Sequence, residues 1–72
     1  MTGEECLAYI AQKHHVSHEA ILSHDRHRYV VEARHDLCRT LRAHGWPLQA
    51  IGAFIGRDHT TVSYALRKAD RK

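Results

Sequence analysis

The sequence has one proline, two cysteines and no apolar run near the roughly 20 residues of a membrane-spanning helix. No secretory signal peptide is visible, because Glu4 and Glu5 occupy the segment that should be positively charged. Two cysteines are too few for a disulfide framework, and Cys6 and Cys38 both fall on predicted apolar helix faces. We therefore expect reduced core cysteines in a cytoplasmic protein.

The chain is small, and its charge is unevenly distributed. A length of 72 residues favours one domain, 1–72, with one small core. The net charge is +3 with neutral histidines, but residues 1–24 hold one basic and three acidic side chains and residues 25–72 hold 10 basic and 5 acidic ones. The second segment therefore carries +5, which favours a polyanionic partner, although an ordinary basic surface would look the same.

Capping residues predict the first two helices. Thr2 and Glu5 fit a capping box, and an apolar stripe at helical spacing follows, made of Leu7, Ile10, Ala11 and His14. Ser17 can cap a second, short helix at about 18–23. Residues 24–29, HDRHRY, have no apolar period and are expected to form a loop.

A third and longest helix is expected at about 30–44. We expect Arg34, Arg39 and Arg42 to lie away from its buried stripe, which consists of Val30, Ala33, Leu37, Leu41 and His44. Gly45 is a natural helix stop, and Pro47 can open the next helix. Between them, Trp46 is expected to staple the helix junction, with an exposed partner-binding role as the alternative.

The last two predicted helices have the pattern of a helix-turn-helix. The fourth, at about 47–55, buries Leu48, Ile51 and Phe54, and the fifth runs from about Asp58 to about Ala69. Gly52 is expected to allow a close helix approach, and Ile55-Gly56 to form the turn. Five short helices without a strand pattern predict an all-α domain.

The stretch GRDHTTV, residues 56–62, places short hydrogen-bonding side chains at the start of the fifth helix. In a helix-turn-helix this end of the second helix enters the major groove of DNA. Thr60 and Thr61 can offer donors, acceptors and methyl groups there, and the free N–H groups of the helix end favour a phosphate. Asp58 can act as a simple N-cap, or it can also accept from a base or hold Arg57.

The run IGAFIGRDHTTVSYALRK resembles the signature of the C-terminal DNA-binding domain of the bacterial chromosomal replication initiator DnaA. Upstream, ILSHDRHRYVVEARHDLCRTLR is similar to the family's basic loop and the helix that follows it. The resemblance covers about residues 5–70. It implies binding of double-stranded DNA at a TTATNCACA-like box, in a nucleoid-associated protein of a bacterium or phage that regulates replication initiation or transcription.

The resemblance also implies roles for individual residues, carried over position by position. Major-groove contacts fall on Arg57, Asp58, His59, Thr60 and Thr61. Arg26 falls on the loop arginine that enters the minor groove, whereas the residues alone would favour a solvated arginine paired with Asp25. Contacts to the DNA backbone fall on Arg28, Arg34, His35, Gln49, Arg67 and Lys68.

The chain departs from the family pattern in several places. Ile55-Gly56 replaces two glycines, the junction Gly45-Trp46-Pro47 is about one residue shorter, and Ser63 and Tyr64 differ from the family's residues. The loop contains several histidines and an aspartate where the family is more uniformly basic. No Gly-rich Lys-Ser/Thr motif is present, so we expect no ATPase activity, no other catalysis and no cofactor.

Other functions are weaker readings of the same residues. The eight histidines show no zinc-type spacing with the two cysteines, so we expect surface histidines that favour phosphate when protonated, and no metal site. Serines near histidines do not make a hydrolase in a domain with so little room for a pocket. A protein-interaction module that binds a replication factor, a protease or a partner subunit remains the alternative to DNA binding, and the oligomeric state stays open.

Overall fold

The computed structural model describes residues 2–23 and 25–70, with the side chains of 68–70 excepted. Its five helices are α1 (Gly3–His14), α2 (His18–Leu22), α3 (Arg28–Ala43), α4 (Leu48–Ile55) and α5 (His59–Asp70). No strand occurs within these ranges. The predicted all-α fold is therefore confirmed.

The helix starts follow the predicted caps. The Thr2 hydroxyl accepts from the N–H of Glu5 at 3.1 Å, and the Glu5 carboxylate accepts from the N–H of Thr2 at 2.8 Å, which completes the capping box. The Ser17 hydroxyl accepts from the N–H of Ala20 at 3.1 Å and caps α2. These bonds satisfy backbone donors that have no partner inside the helix.

Helix α3 begins at Arg28, so the loop predicted over 24–29 was too long at its C-terminal end. The His27 carbonyl accepts from the N–H groups of Val30 and Val31 at 3.0 and 2.9 Å. Arg28 and Tyr29, the first two residues of the helix, are exposed and carry no apolar period, which is why the periodicity missed them. His24, also assigned to that loop, lies outside the described residues.

Two assignments around α3 were wrong. His44 follows the last residue of the helix and is exposed, because the chain turns at Gly45, which has a φ of 89°, instead of continuing the buried stripe. Arg34 was expected away from the stripe, yet only 9% of its surface is exposed. Arg34 lies at helical spacing from Val30 and Leu37, both fully buried, so the geometry of α3 turns it inward.

The core forms around α3, which contacts the other four helices. Cys6 and Cys38 are both fully buried and unpaired, as predicted. Burial raises the pKa of the Cys38 thiol to about 11. Among the described residues, the other large side chains without exposed surface are Ile10, Ile21, Val30, Leu37, Leu41, Ile51 and Val62.

Trp46 joins the start of α1 to α4. Its ring meets that of Phe54 edge to face, with 5.6 Å between the centroids. Gly3 lies so close that a β-carbon there would stand 2.7 Å from Cη2 of Trp46. Trp46 therefore packs inside the fold, as expected, but its ring joins α4 to the start of α1.

The turn between α4 and α5 depends on two glycines. Gly56 ends α4 in the left-handed region, with a φ of 72°, which a glycine adopts without strain. Gly52 faces the backbone of the turn, and a β-carbon added there would stand 2.6 Å from the carbonyl oxygen of Arg57. The close approach predicted at Gly52 is therefore confirmed, and it sets where α5 starts.

Among the described residues, none of the helices is long and apolar enough to cross a membrane.

Candidate nucleic-acid interface

Helix α5 has a buried face and an outer face. Val62 and Ala65 pack into the core, as predicted, and Leu66 is half-buried against it. The outer face of α5, as we name it, consists of the exposed residues Thr60, Thr61, Tyr64 and Arg67. Ala69, predicted on the inner face, and Lys68 have side chains outside the description.

The start of α5 is organised by Asp58. Its carboxylate accepts from the N–H of Thr60 at 3.3 Å and lies 2.9 Å from Nδ1 of His59. The expected capping contact is therefore present. The side chains of both Asp58 and His59 remain more than half exposed, so each can still meet a ligand. Small polar side chains thus share one accessible helix end with the N–H groups of the first turn, which have no acceptor inside the helix.

The loop between α2 and α3, described for Ser23 and for Asp25 to His27, is held by its own side chains. The Ser23 hydroxyl donates to the carbonyl of Ala20 at 2.7 Å and accepts from the N–H of Asp25 at 3.1 Å. The Asp25 carboxylate accepts from the N–H of His27 at 2.9 Å and lies 2.5 Å from its Nδ1. The His27 N–H and then its ring lower the pKa of Asp25, so the carboxylate stays ionised at neutral pH.

Arg26 lies exposed in this loop. The Asp25 carboxylate, which was the alternative partner for Arg26, is engaged by His27 instead. Arg26 makes no ion pair within the part of the chain that the structure describes. Its guanidinium is therefore available to an external acceptor.

Arg34 of α3 also holds this loop in place through hydrogen bonds to main-chain carbonyls. Its Nε donates to the carbonyl of Ile21 at 2.8 Å, and its Nη2 donates to the carbonyls of Ser23 and Asp25 at 2.8 and 3.0 Å. A longer contact of 3.4 Å reaches the carbonyl of Ala20. These acceptors include the last carbonyls of α2, which have no partner inside that helix.

Arg57 links the loop to the start of α5. It directly precedes Asp58, and its Nη2 donates to the Ser23 carbonyl at 2.6 Å. That oxygen therefore accepts from both Arg34 and Arg57. The Arg26 loop and the start of α5 consequently lie side by side, although the two segments are more than 30 residues apart in sequence.

The residues predicted to contact the DNA backbone occupy different environments. Arg28, Gln49 and Arg67 are exposed, and Arg28 also pairs with Glu32 at 3.2 Å. His35 is half-buried and engaged in an interaction within the protein. Arg34 is the least accessible of those whose side chains are described. Contacts of these residues with DNA stay predictions.

The sequence analysis missed the internal contacts of Arg34 and Arg57. A signal for Arg34 was present, because its position falls on the apolar stripe of α3 and a buried arginine must find acceptors. The acceptor that Arg34 and Arg57 share, the Ser23 carbonyl, is a main-chain atom, so no residue type could have indicated it. No group of three or more metal-binding side chains occurs among the described residues.

A family model described as the bacterial dnaA protein helix-turn-helix matches residues 4–69. The match includes all of α2, α3 and α4, most of α1 and most of α5. Searches of curated proteins and of solved structures found no match.

Proposed function

The chain belongs to the family of bacterial DnaA helix-turn-helix domains, and on that premise we propose that it binds double-stranded DNA at DnaA-box-like sites. The observation that carries the proposal is the accessible start of α5, with an ordered arginine loop beside it. In a helix-turn-helix, that helix end reads base edges in the major groove.

The major-groove contacts are assigned to the start of α5. His59, Thr60 and Thr61 are exposed there, and their side chains are short enough for the helix backbone to approach the bases. Asp58 caps the helix through one carboxylate oxygen and can accept from a base amino group through the other. Capping and base recognition are therefore compatible in one residue.

Arg26 is assigned to the minor groove next to that site. It is exposed and unpaired among the described residues, and its loop is held in place by several hydrogen bonds. An arginine presented in this way suits the narrow, electronegative minor groove of A·T-rich DNA. Exposed Arg28, Gln49 and Arg67 then supply contacts to phosphates, which fix the register of the protein without reading sequence.

Substitutions separate readers of bases from contacts to the backbone. We expect His59→Ala and Thr60→Ala each to cost about 1–3 kcal/mol and to relax the preference at particular base pairs. Arg28→Ala should weaken binding to all duplexes by similar factors and lower the salt slope by about 1. Both outcomes are measured by titrating box duplexes with single base-pair changes at several salt concentrations.

His18→Ala is the matched control for His59→Ala. His18 is an exposed histidine at the first position of α2, directly after a capping residue, as His59 is in α5. The control should bind the box like the unchanged protein. Equal losses in His59→Ala and His18→Ala would contradict the assignment of base contacts to α5, and would favour a non-specific effect of histidine charge.

In the cell, we propose that this domain regulates replication initiation or transcription by occupying initiator boxes. Two proteins that insert the same kind of helix into one major groove cannot share a box, so occupancy by this chain excludes the initiator. Added to initiator on an origin fragment, it should reduce the initiator footprint in proportion to its own occupancy. A larger footprint, or both proteins on one box, would instead favour a module that binds a replication protein.

A further inference from the structure

The Ser23 carbonyl oxygen accepts hydrogen bonds from two arginines that lie in distant parts of the chain. Nη2 of Arg34, from α3, lies 2.8 Å away, and Nη2 of Arg57, from the turn before α5, lies 2.6 Å away. A carbonyl oxygen has two lone pairs, so it can accept both bonds at once. The loop that carries Arg26 is thereby tied to α3 and to the start of α5.

The contacts of Arg34 use the geometry of a guanidinium as well as its charge. One planar group donates to carbonyls of Ile21, Ser23 and Asp25. Burial, followed by the nearby Arg57 cation, lowers the pKa of Arg34, yet arginine stays protonated in proteins. A lysine keeps the charge at this position but has no planar fork to reach these acceptors together.

We propose that Arg34 and Arg57 are positioning residues, which hold the Arg26 loop at a fixed place beside the start of α5. This inference rests on the proposed function, because it assigns their effect on DNA binding to the placement of Arg26. It differs from the role that the sequence resemblance implies, in which Arg34 contacts phosphate and Arg57 lies in the major groove. A lysine at position 34 would largely keep a contact to phosphate, because that contact needs mainly the positive charge. It would not keep the set of hydrogen bonds that fixes the loop.

The first test uses the free protein. Backbone ¹⁵N relaxation of Asp25 and His27 should give order parameters of about 0.85, which indicate a rigid loop. In Arg34→Lys these order parameters should fall below about 0.6. Arg39→Lys is the matched control, because Arg39 is an exposed arginine on the same helix. Unchanged loop order in Arg34→Lys would overturn the proposal.

The second test is a double-mutant cycle with Arg26→Ala on a box duplex. Arg34→Lys should weaken binding about tenfold, or about 1.4 kcal/mol, in the unchanged background. It should weaken binding less than about twofold when Arg26 is already alanine, since the two act through one contact. The salt slope should not change. Equal losses in both backgrounds would show that Arg34 acts independently of Arg26 and would overturn the proposal.

A second variant, Arg57→Lys, tests the proposal if Arg34→Lys does not fold, because it leaves the hydrogen bond of Arg34 to the end of α2 intact. Arg57→Lys is measured in the same double-mutant cycle and by the same relaxation experiment. We expect a loss of binding that depends on Arg26, and lower order parameters for Asp25 and His27. If the unchanged protein shows no preference for the box, the proposed function fails. The order of the loop in the free protein still decides whether the two arginines hold it.

Discussion

Replacing Gly52 with alanine should destabilise the protein, although alanine is the better helix former. A β-carbon at Gly52 would stand 2.6 Å from the Arg57 carbonyl oxygen, and ordinary van der Waals contact begins at 3.4 Å. It would also stand 3.4 Å from the His59 nitrogen. Both neighbours are backbone atoms, so the turn itself must move by about 0.8 Å, the difference between the two distances.

Two effects of opposite sign determine how much Gly52→Ala changes the free energy of unfolding. Overpacking of this kind costs about 1–3 kcal/mol. The gain in helix propensity from glycine to alanine returns about 0.5–1 kcal/mol. Moving the turn also strains the 2.8 Å hydrogen bond from the Arg57 N–H to the Gly52 carbonyl, so we place the cost at the upper end. The expected net loss in the free energy of unfolding is about 2–2.5 kcal/mol, or roughly 8–20 °C in Tm.

Thermal unfolding followed by far-UV circular dichroism measures this loss. Ala53→Gly is the control, because Ala53 is the next residue of α4 and is exposed. That change tests propensity alone and should cost about 0.5–1 kcal/mol. A Gly52→Ala protein that melts at or above the temperature of the unchanged protein would refute the claim that close packing at Gly52 sets the turn.

Three further predictions concern other parts of the fold. Burial raises the pKa of Asp36, but hydrogen bonds from His14 (2.8 Å) and Lys13 (3.0 Å) outweigh it and hold the pKa below 3.8. The Asp36 carboxylate should therefore stabilise the protein above about pH 4, and this stabilisation should be lost as pH falls through the lowered pKa. In urea unfolding measured at several pH values, the loss of stability caused by Asp36→Asn should shrink toward low pH. At pH 8 a thiol reagent should label Cys38 only on unfolding, because the thiol is buried and its pKa lies near 11; fast labelling of the folded protein would contradict this. Thr2→Ala should cost about 0.5–2 kcal/mol in denaturant unfolding, because it removes the cap of α1; an unchanged midpoint would contradict that.

Most of the helical frame was predictable because its signals are local. The capping residues Thr2 and Ser17 marked helix starts by their side chains alone, and the pattern of apolar residues marked the faces that pack. Gly52 and Gly56 indicated the turn of the helix-turn-helix for the same reason. Such signals act within one or two turns of helix, so a single sequence contains them.

The hydrogen bonds that connect the loop to α3 and to the start of α5 were not predictable in this way. Arg57 looks like a surface cation in sequence, and the position of Arg34 on the apolar stripe of α3 indicates burial but not its partners. Both arginines find acceptors in main-chain carbonyls of distant segments. Which carbonyls come within reach depends on how α2 packs on α3, a tertiary property. The contact between Asp25 and His27 was local, by contrast, and its spacing of two residues is a known turn signature. It could have been recognised, and it would have argued against an Asp25–Arg26 pair.

The most direct test of the central claim is a titration of labelled duplexes with the whole chain. One duplex contains a TTATNCACA-like box and the other a scrambled sequence of equal composition, each measured at several salt concentrations. We expect the box to bind roughly 10³-fold tighter at physiological salt, with both affinities falling as salt rises because phosphate contacts release counterions. Equal affinity for the two duplexes at every salt concentration would contradict the claim that this domain reads a DNA sequence.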